Sequence, residues 1–276
     1  MLTDYHVHLR PDDDPEWPAD KAFTADNAGR YREVARERGV EELGVAEHIY
    51  RFHQSMSVWQ HPFWRERATD DIDVYTDFVR GETDLRLGIE ADFVPGREDK
   101  MANLLDKYRW DYVVGSIHFL RDEALDVRGD FDIWRSNDPE KVWRRYFETL
   151  GEAARSGLFD ILAHPDLVKV WGDESPQPAG DLRRFYELAM EGIEESNVAI
   201  EVSTAGLRKP VGEIYPARPF LEMCLEAGCP VALSSDAHTV DQLAFRYDDA
   251  LEYLDSMGVT EIAVFEGRER RLEAIG

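Results

Sequence analysis

The sequence predicts an α/β fold of the TIM-barrel type, in which parallel strands alternate with helices around one closed sheet. Eight short apolar runs recur along the 276 residues, and amphipathic segments separate most of them. Such alternation is typical of a parallel sheet. Seven or eight units in one chain favour a barrel over an open sheet. No Pro/Ser-rich linker, fixed-period repeat or low-complexity tract interrupts the pattern, so we expect a single domain over residues 1–276.

The strands are predicted from the apolar runs themselves. In order, the runs are TDYHVHL, ELGVAEH, LRLGIEADF, DYVVGSIHF, DILAHP, VAIEVST, PVALSSDAH and EIAVFEG. Between the second and third runs lies YRFHQSMSVWQHPFWRERATDD, which is long for a connection and rich in aromatic residues. Loops of this size are often lids or binding walls. Tyr50, Phe52, Trp59 and Trp64 could exclude water and receive a substrate ring, or they could pin the loop by packing on one another.

Helical spacing and helix-end signals mark the segments between the strands. In NAGRYREVARERG the apolar spacing ends at Gly39. In SNDPEKVWRRYFETLGEAARSG, Asp138 suits the N-cap and Pro139 the first turn. One face of this helix is predicted to carry Val142, Tyr146, Leu150 and Ala154. YPARPFLEMCLEAG and TVDQLAFRYDDALEYLDSMG are predicted helices of the same kind, each closed by Gly.

The chain is strongly acidic, with 57 Asp and Glu against 32 Lys and Arg and a formal charge of −25. Such a surface repels nucleic acid polymers and anionic lipid. An anionic substrate would therefore need local positive charge from a metal, Arg or Lys. No run of eighteen apolar residues is present, and the N-terminus lacks the pattern of a signal peptide. Cys224 and Cys229 show no metal or redox spacing, so we expect free thiols and a cytoplasmic location.

Metal-binding residue types occur at the predicted strand ends. They are His6, His8, His48, Glu90, His118, His164, Asp236 and His238. The C-terminal ends of parallel barrel strands form one rim, where active sites lie. Residues i and i+2 of a strand share a face, so His6 and His8 can hold one ion together. One histidine at a strand end is more often a hydrogen-bonded core residue, but six of eight predict a metal site. Imidazole and carboxylate without thiolate suit Zn, Mn or Fe, and this many ligands imply two or three ions.

In this order along the chain, HVH, EH, a lone Glu, His118, His164 and DAH resemble the PHP (polymerase and histidinol phosphatase) phosphoesterases. The segments AGLRKPVGEIYP and AHPDLVK are similar to the monofunctional histidinol-phosphatase branch. The resemblance implies a distorted (β/α)7 barrel with a trinuclear metal centre at the C-terminal rim of its strands.

The resemblance also implies how the ligands are shared. A first ion would take His6, His8, Glu90 and Asp236. A second, bridged through Glu90, would take His118 and His164. A third would take His48, His238 and a residue of the loop LRPDDDPEW, where Asp14 has the expected spacing and Asp12 and Asp13 are close rivals.

The chemistry implied is hydrolysis of a phosphate monoester. Two metals about 3.5–4 Å apart can hold a bridging hydroxide at neutral pH, which would attack phosphorus in line with the leaving alkoxide. No nucleophile elbow or cysteine-phosphatase loop is evident. Asp236, His238 or an acid of the PDDD stretch could protonate the alkoxide through water. The sequence does not separate them.

Cationic groups are expected around the substrate phosphate. Arg208, just after the sixth strand, is the main candidate because a guanidinium fork matches two phosphate oxygens. Lys169 is a second candidate, whereas Lys209 and Arg51 are as well explained as solvated loop charges. Glu201 could orient the amino group of a substrate, or it could hold a ligand histidine in place, which is the role we favour.

We therefore predict a metal-dependent phosphoric monoester hydrolase of histidine biosynthesis, which converts L-histidinol phosphate into L-histidinol and phosphate. A nucleotide or other small phosphomonoester is the alternative substrate, and 3′–5′ exonuclease action is disfavoured by the negative charge. A non-catalytic metal-binding protein is less favoured because the ligand pattern has no clear gap. Metal-dependent amidohydrolases typically carry a bridging lysine after the fourth strand, where this chain has His118. The physiological metal and the oligomeric state stay open.

Overall fold

A computed structural model describes residues 1–11 and 21–276 of the chain. Its strands are β1 (Thr3–Asp4), β2 (Glu42–His48), β3 (Arg86–Asp92), β4 (Tyr112–Ser116), β5 (Phe119–Leu120), β6 (Glu123–Ala124), β7 (Ile161–Leu162), β8 (Ala199–Ser203), β9 (Val231–Ser234), β10 (Glu261–Glu266) and β11 (Glu269–Ala274). Its α-helices are α1 (Ala25–Glu37), α2 (Pro62–Arg67), α3 (Ile72–Glu82), α4 (Glu98–Leu105), α5 (Pro139–Arg155), α6 (Arg183–Glu194), α7 (Arg218–Glu226) and α8 (Tyr247–Asp255).

Seven strands form one parallel sheet in the order β1-β2-β3-β4-β7-β8-β9. The two ends of this sheet meet at a parallel bridge between Val7 and Ala237. There His8 N donates to the carbonyl oxygen of Ala237 at 2.8 Å, and Ala237 N donates to that of His6 at 3.1 Å. The nearly closed seven-stranded barrel confirms the predicted fold class, and it brings the C-terminal ends of all seven strands to one rim.

The barrel interior depends on two glycines that make room for Tyr112. This side chain is fully buried, and its ring centre lies 4.8 Å from that of Tyr5. A Cβ atom at Gly44 or Gly88 would lie under 3.0 Å from the Tyr112 ring. Larger residues at these positions would overpack the interior.

The eighth apolar run, EIAVFEG, is a strand but not a barrel strand. It forms β10, which pairs with β11 in an antiparallel hairpin. Gly267 (φ 57°) and Arg268 (φ 64°) connect the two strands, as in a hairpin turn with positive φ at both central residues. Arg268 N donates to the Asp111 carbonyl oxygen at 2.8 Å, and Arg268 Nε pairs with Asp160 at 2.9 Å. Because Asp111 and Asp160 precede β4 and β7, the hairpin covers the N-terminal end of the barrel.

The helices largely follow their predicted signals. Helix α5 begins at Pro139, and the Asp138 side chain accepts a hydrogen bond from Glu140 N. Its predicted apolar face, Val142, Tyr146, Leu150 and Ala154, is buried. Helix α8 begins only at Tyr247, because a 3-10 turn over Val240–Gln242 and left-handed Ala244 and Arg246 precede it. Among the described residues, no helix combines the length and apolar character that a bilayer span requires.

Candidate metal centre

The predicted metal ligands that the structure describes converge on one rim of the barrel. His6 and His8 follow β1, His48 ends β2, Glu90 lies in β3, His118 follows β4, His164 follows β7, and Asp236 and His238 follow β9. Apart from the half-buried His238, each is buried. Asp14 and its rivals Asp12 and Asp13 lie outside the described residues.

Glu90 lies at the centre of the cluster and presents its two carboxylate oxygens to different imidazoles. Its Oε1 lies 3.4 Å from Nε2 of His118 and 3.4 Å from Nε2 of His164. Its Oε2 lies 3.4 Å from His6 Nε2 and 3.7 Å from His8 Nε2. This division is the arrangement expected of a carboxylate that bridges two ions.

Three further side chains complete the cluster. Asp236 Oδ1 lies 3.7 Å from His6 Nε2 and 3.5 Å from His8 Nε2. His48 contacts Glu90 Oε2 through Nδ1, and its Nε2 lies 3.2 Å from Nε2 of His238. The ligand atoms of His8, His48 and His238 lie within 4.8 Å of one another. These three imidazoles form a third candidate ligand group beside the two that share Glu90.

The spacing of these atoms fits divalent metal. Two nitrogen or oxygen ligands, each about 2.0–2.1 Å from a tetrahedral ion, lie roughly 3.4 Å apart. The distances from Glu90 to His6, His118 and His164 match this value. Both Glu90 oxygens and Nε2 of His6 and His8 are buried without a hydrogen-bond partner. Since buried polar groups are otherwise satisfied, we conclude that the cluster binds divalent metal.

Charge in the cluster is shared between the carboxylates and the imidazoles. Burial favours a neutral Glu90, but the surrounding imidazoles, His48 foremost, hold its pKa well below the ordinary range. Burial lowers the pKa of His118, but Glu90 and Asp92 outweigh it and raise that pKa to about 10. The carboxylates thus favour protonated, cationic imidazoles, and a metal ion that binds here would replace the protons on these rings.

Carboxylates behind the rings hold several imidazoles. His6 Nδ1 lies 2.8 Å from Glu201 Oε1, and His118 Nδ1 lies 2.9 Å from Asp92 Oδ1. Glu47 Oε2 lies 3.8 Å from His8 Nδ1 and pairs with Arg51 at 2.7 Å. Such partners set the tautomer and orientation of ligand histidines. Arg51 is therefore a buried structural charge rather than a solvated loop charge.

Asp92 and Glu47 were missed by the sequence analysis, although simple signals pointed to them. Asp92 lies two residues after Glu90 in β3, on the same strand face. Glu47 directly precedes His48 in the EH pair. His164 (φ 26°) and Asp236 (φ 50°) also adopt left-handed backbone. Strain of this kind concentrates at functional sites.

A cavity of about 380 Å³ opens above the cluster. Arg67, Arg208 and Lys209 line it, together with His48, His118, His164, Asp236 and His238. Arg208 is anchored by its Nη2, which donates to the carbonyl oxygens of Ser235 and Asp236 at 2.8 Å each. Its Nη1 is buried without a hydrogen-bond partner. The guanidinium group can therefore offer a donor to an anion in the cavity.

Lys169 does not have the position expected of a phosphate ligand. Its Nζ pairs with Asp166 at 2.9 Å and with Glu213 at 3.1 Å, and the residue is not part of the described cavity lining. The ammonium group is therefore neutralised inside the protein. Lys209, which the sequence analysis treated as a solvated charge, lines the cavity instead.

The aromatic loop combines both roles considered for it. Tyr50 and Phe63 line the cavity. Phe52, Trp59 and Trp64 are buried outside the cavity lining, and Trp64 packs against Trp59 with ring centres 5.4 Å apart. Part of the loop is therefore a cavity wall, and the rest anchors that wall.

Comparison with known proteins identifies the family. The PHP domain model matches residues 24–205. The chain belongs to the PHP domain family. A probable histidinol-phosphatase of Deinococcus radiodurans is 33% identical over 234 residues, which cover 83% of this chain and 86% of that protein. The histidinol-phosphatase of Bacillus subtilis is 25% identical over 82% of this chain and 92% of its own. These matches confirm the resemblance to the histidinol-phosphatase branch.

Solved structures of PHP-type phosphatases share the fold. Histidinol phosphate phosphatase from Lactococcus lactis, complexed with Zn, L-histidinol and phosphate, superposes with a TM-score of 0.68 at 16% identity and covers 98% of both chains. The putative histidinol phosphatase from Listeria monocytogenes gives a TM-score of 0.69 at 17% identity, covering 90% of this chain and 98% of that one. Both likenesses extend over nearly the whole barrel.

Proposed function

We propose that this PHP-family chain is a metal-dependent phosphomonoesterase that hydrolyses L-histidinol phosphate to L-histidinol and phosphate. The observation that carries the proposal is the position of Glu90, whose two oxygens face separate imidazole groups next to a cavity that Arg67, Arg208 and Lys209 help to line. The names of the curated relatives supply the substrate.

We assign two ions to the described residues. The first would be held by His6, His8, Asp236 and Glu90, and the second by Glu90, His118 and His164. His48 and His238 would hold a third ion together with an acid of the loop that contains Asp14. The donor set suits Zn, Mn or Fe. When bound, the ions supply the activated nucleophile and neutralise charge on the phosphate oxygens.

The substrate phosphate would be held by the chain's own cations as well. Arg208 Nη1 is available for a charge-assisted hydrogen bond because Nη2 already fixes the guanidinium group to the backbone. Lys209 lines the same cavity and adds a second positive charge. In a protein of charge −25, these groups give an anionic substrate a local site at which to bind.

Asp236 and His238 both line the cavity, and they remain our candidates for protonating the leaving alkoxide through water. Glu201 is fully engaged, because its oxygens accept hydrogen bonds from Ser234 Oγ and from His164 N and face His6. We therefore assign Glu201 to positioning the ligands rather than to the substrate. Cys224 and Cys229 are free thiols, which suits the cytoplasmic location that we propose.

The decisive experiment is a substrate panel with the Zn- or Mn-loaded protein. We expect kcat/KM to be highest for histidinol phosphate and lower for nucleotides, sugar phosphates and p-nitrophenyl phosphate. His8→Ala should abolish all of these activities. Arg208→Ala should raise KM by about 10- to 100-fold, as expected for a lost charge-assisted hydrogen bond. Arg65→Ala, an exposed change on α2, is the matched control. A nucleotide preference, or activity that survives chelation, would contradict the proposal.

A further inference from the structure

One carboxylate in the cavity lies outside the predicted metal ligands. Among the described residues that line the cavity, Asp126 and Asp236 are the two acids, and Asp236 belongs to the imidazole cluster. Asp126 lies in the loop after β6, a segment in which the sequence analysis placed no functional residue.

The Asp126 side chain is not in contact with a cation among the described residues, although its charge contributes to the raised pKa of His118. It forms no ion pair or hydrogen bond there, and its Oδ1 is buried without a partner. The residue is half-buried rather than exposed. A carboxylate withdrawn from water is normally paired with a cation or with hydrogen-bond donors. The position therefore calls for a partner that arrives from the cavity.

The backbone beside Asp126 is held rigidly, so the carboxylate is part of a built wall. Leu125 N donates to the His118 carbonyl oxygen at 2.9 Å. The Leu125 carbonyl oxygen accepts hydrogen bonds from the indole N–H groups of Trp134 and Trp171, each at 2.8 Å. A group held in this way can select a ligand, because little further ordering is required on binding.

The surroundings indicate what this partner is. The cavity lining has an apolar portion, to which Val127, Leu167, Val170 and Trp171 contribute. The cationic residues of the lining are Arg67, Arg208 and Lys209. A ligand that fits this lining carries an anionic phosphate for the cationic residues, an apolar or ring portion for the apolar residues, and a nitrogen cation for Asp126.

We propose that Asp126 is a specificity-determining residue that binds the positively charged nitrogen of the phosphorylated substrate. This inference rests on the proposed function, because histidinol phosphate carries such a nitrogen in its amino group and in its protonated imidazole. Phosphomonoesters without a positive charge gain nothing from the Asp126 carboxylate.

The test compares Asp126→Asn with Asp130→Asn, which removes an exposed acid from the same loop. Asp126→Asn should lower kcat/KM for histidinol phosphate by about 10- to 100-fold, mainly through KM. For p-nitrophenyl phosphate it should stay within about 2-fold. The inhibition constant of L-histidinol should rise by the same factor, whereas that of inorganic phosphate should stay constant. Asp130→Asn should change none of these values.

Other outcomes overturn the inference. Equal losses on both substrates, or a reduced metal content, would make Asp126 a structural support of the metal centre. An unchanged histidinol phosphate reaction would remove it from substrate binding. If the wild-type protein does not hydrolyse histidinol phosphate, the proposed substrate is wrong. The same variants then compare ethanolamine phosphate with glycerol phosphate, and a loss confined to the cationic ester sustains the inference while an equal loss refutes it.

Discussion

Substitution of Glu201 by Gln tests how the metal centre is held. The carboxylate faces three donors, His6 Nδ1 at 2.8 Å, Ser234 Oγ at 2.7 Å and His164 N at 2.5 Å. A glutamine of the same shape has one acceptor oxygen, so at least one buried donor would face its NH₂ group. Leaving such a donor unsatisfied costs about 1–3 kcal/mol.

We expect the loss to appear mainly as weaker metal binding. Removing a carboxylate behind a ligand histidine typically lowers metal affinity about 10- to 100-fold, which corresponds to about 1.4–2.7 kcal/mol. Competition with a calibrated chelator measures this affinity directly. At saturating metal, kcat/KM for histidinol phosphate should recover to near the wild-type value. Glu261→Gln, an exposed change in β10, controls for the lost charge.

The opposite pattern would refute this reasoning. If Glu201 held the substrate amino group, Glu201→Gln would raise KM for histidinol phosphate while the metal affinity stayed constant. KM for p-nitrophenyl phosphate, which has no amino group, would then be unaffected. The two roles of Glu201 that the sequence left open therefore give different pairs of results.

Three further predictions concern packing, metal removal and thiol reactivity. Gly88→Ala should lower the free energy of unfolding in urea by about 1–3 kcal/mol because its methyl group overlaps Tyr112. The control Gly81→Ala should not destabilise the fold, because a Cβ atom there has no neighbouring atom within 4 Å. Chelation should lower the melting temperature, and Zn at 100-fold its Kd should raise the free energy of unfolding by about 2.7 kcal/mol per site. An unchanged melting temperature would show that metal binding does not stabilise the folded state. Burial raises the pKa of Cys229 to about 11 from 9.0. At pH 8 its thiolate population should therefore be about 100-fold lower than in the unfolded chain, and its rate of reaction with a disulfide reagent should be lower by the same factor. This rate should rise with pH. Equal rates in the folded and unfolded states would contradict this.

Much of the site could be predicted because strand periodicity also gives direction. His6 and His8 share a strand face, and the other ligands follow neighbouring parallel strands, so the barrel rim joins residues that are distant in sequence. The same rule places Asp92 beside Glu90, although the sequence analysis did not extend it that far. The central strands β2 and β3 begin and end close to their apolar runs.

The remaining features depend on contacts that local pattern does not specify. The run EIAVFEG suits a parallel strand or a hairpin strand equally, and only docking against Asp111 and Asp160 selects the hairpin. Lys169 follows His164 by five residues, but its ion pair with Asp166 fixes it away from the cavity. Asp126 lies in a loop without periodicity, so its approach to the cavity follows from the Trp134 and Trp171 hydrogen bonds to Leu125.

The β10–β11 hairpin at the N-terminal end of the barrel has a practical consequence. The amino group of Met1 donates to the carbonyl oxygen of Ala274 at 2.6 Å, so residues from the two extremities of the sequence lie side by side. Both lie on the face opposite the cavity mouth. An affinity tag, a fluorophore or a surface linker attached next to Met1 or Gly276 would therefore leave the mouth unobstructed for immobilised-enzyme assays. A short peptide joining Met1 to Gly276 would also give a chain that can be reopened at other surface loops.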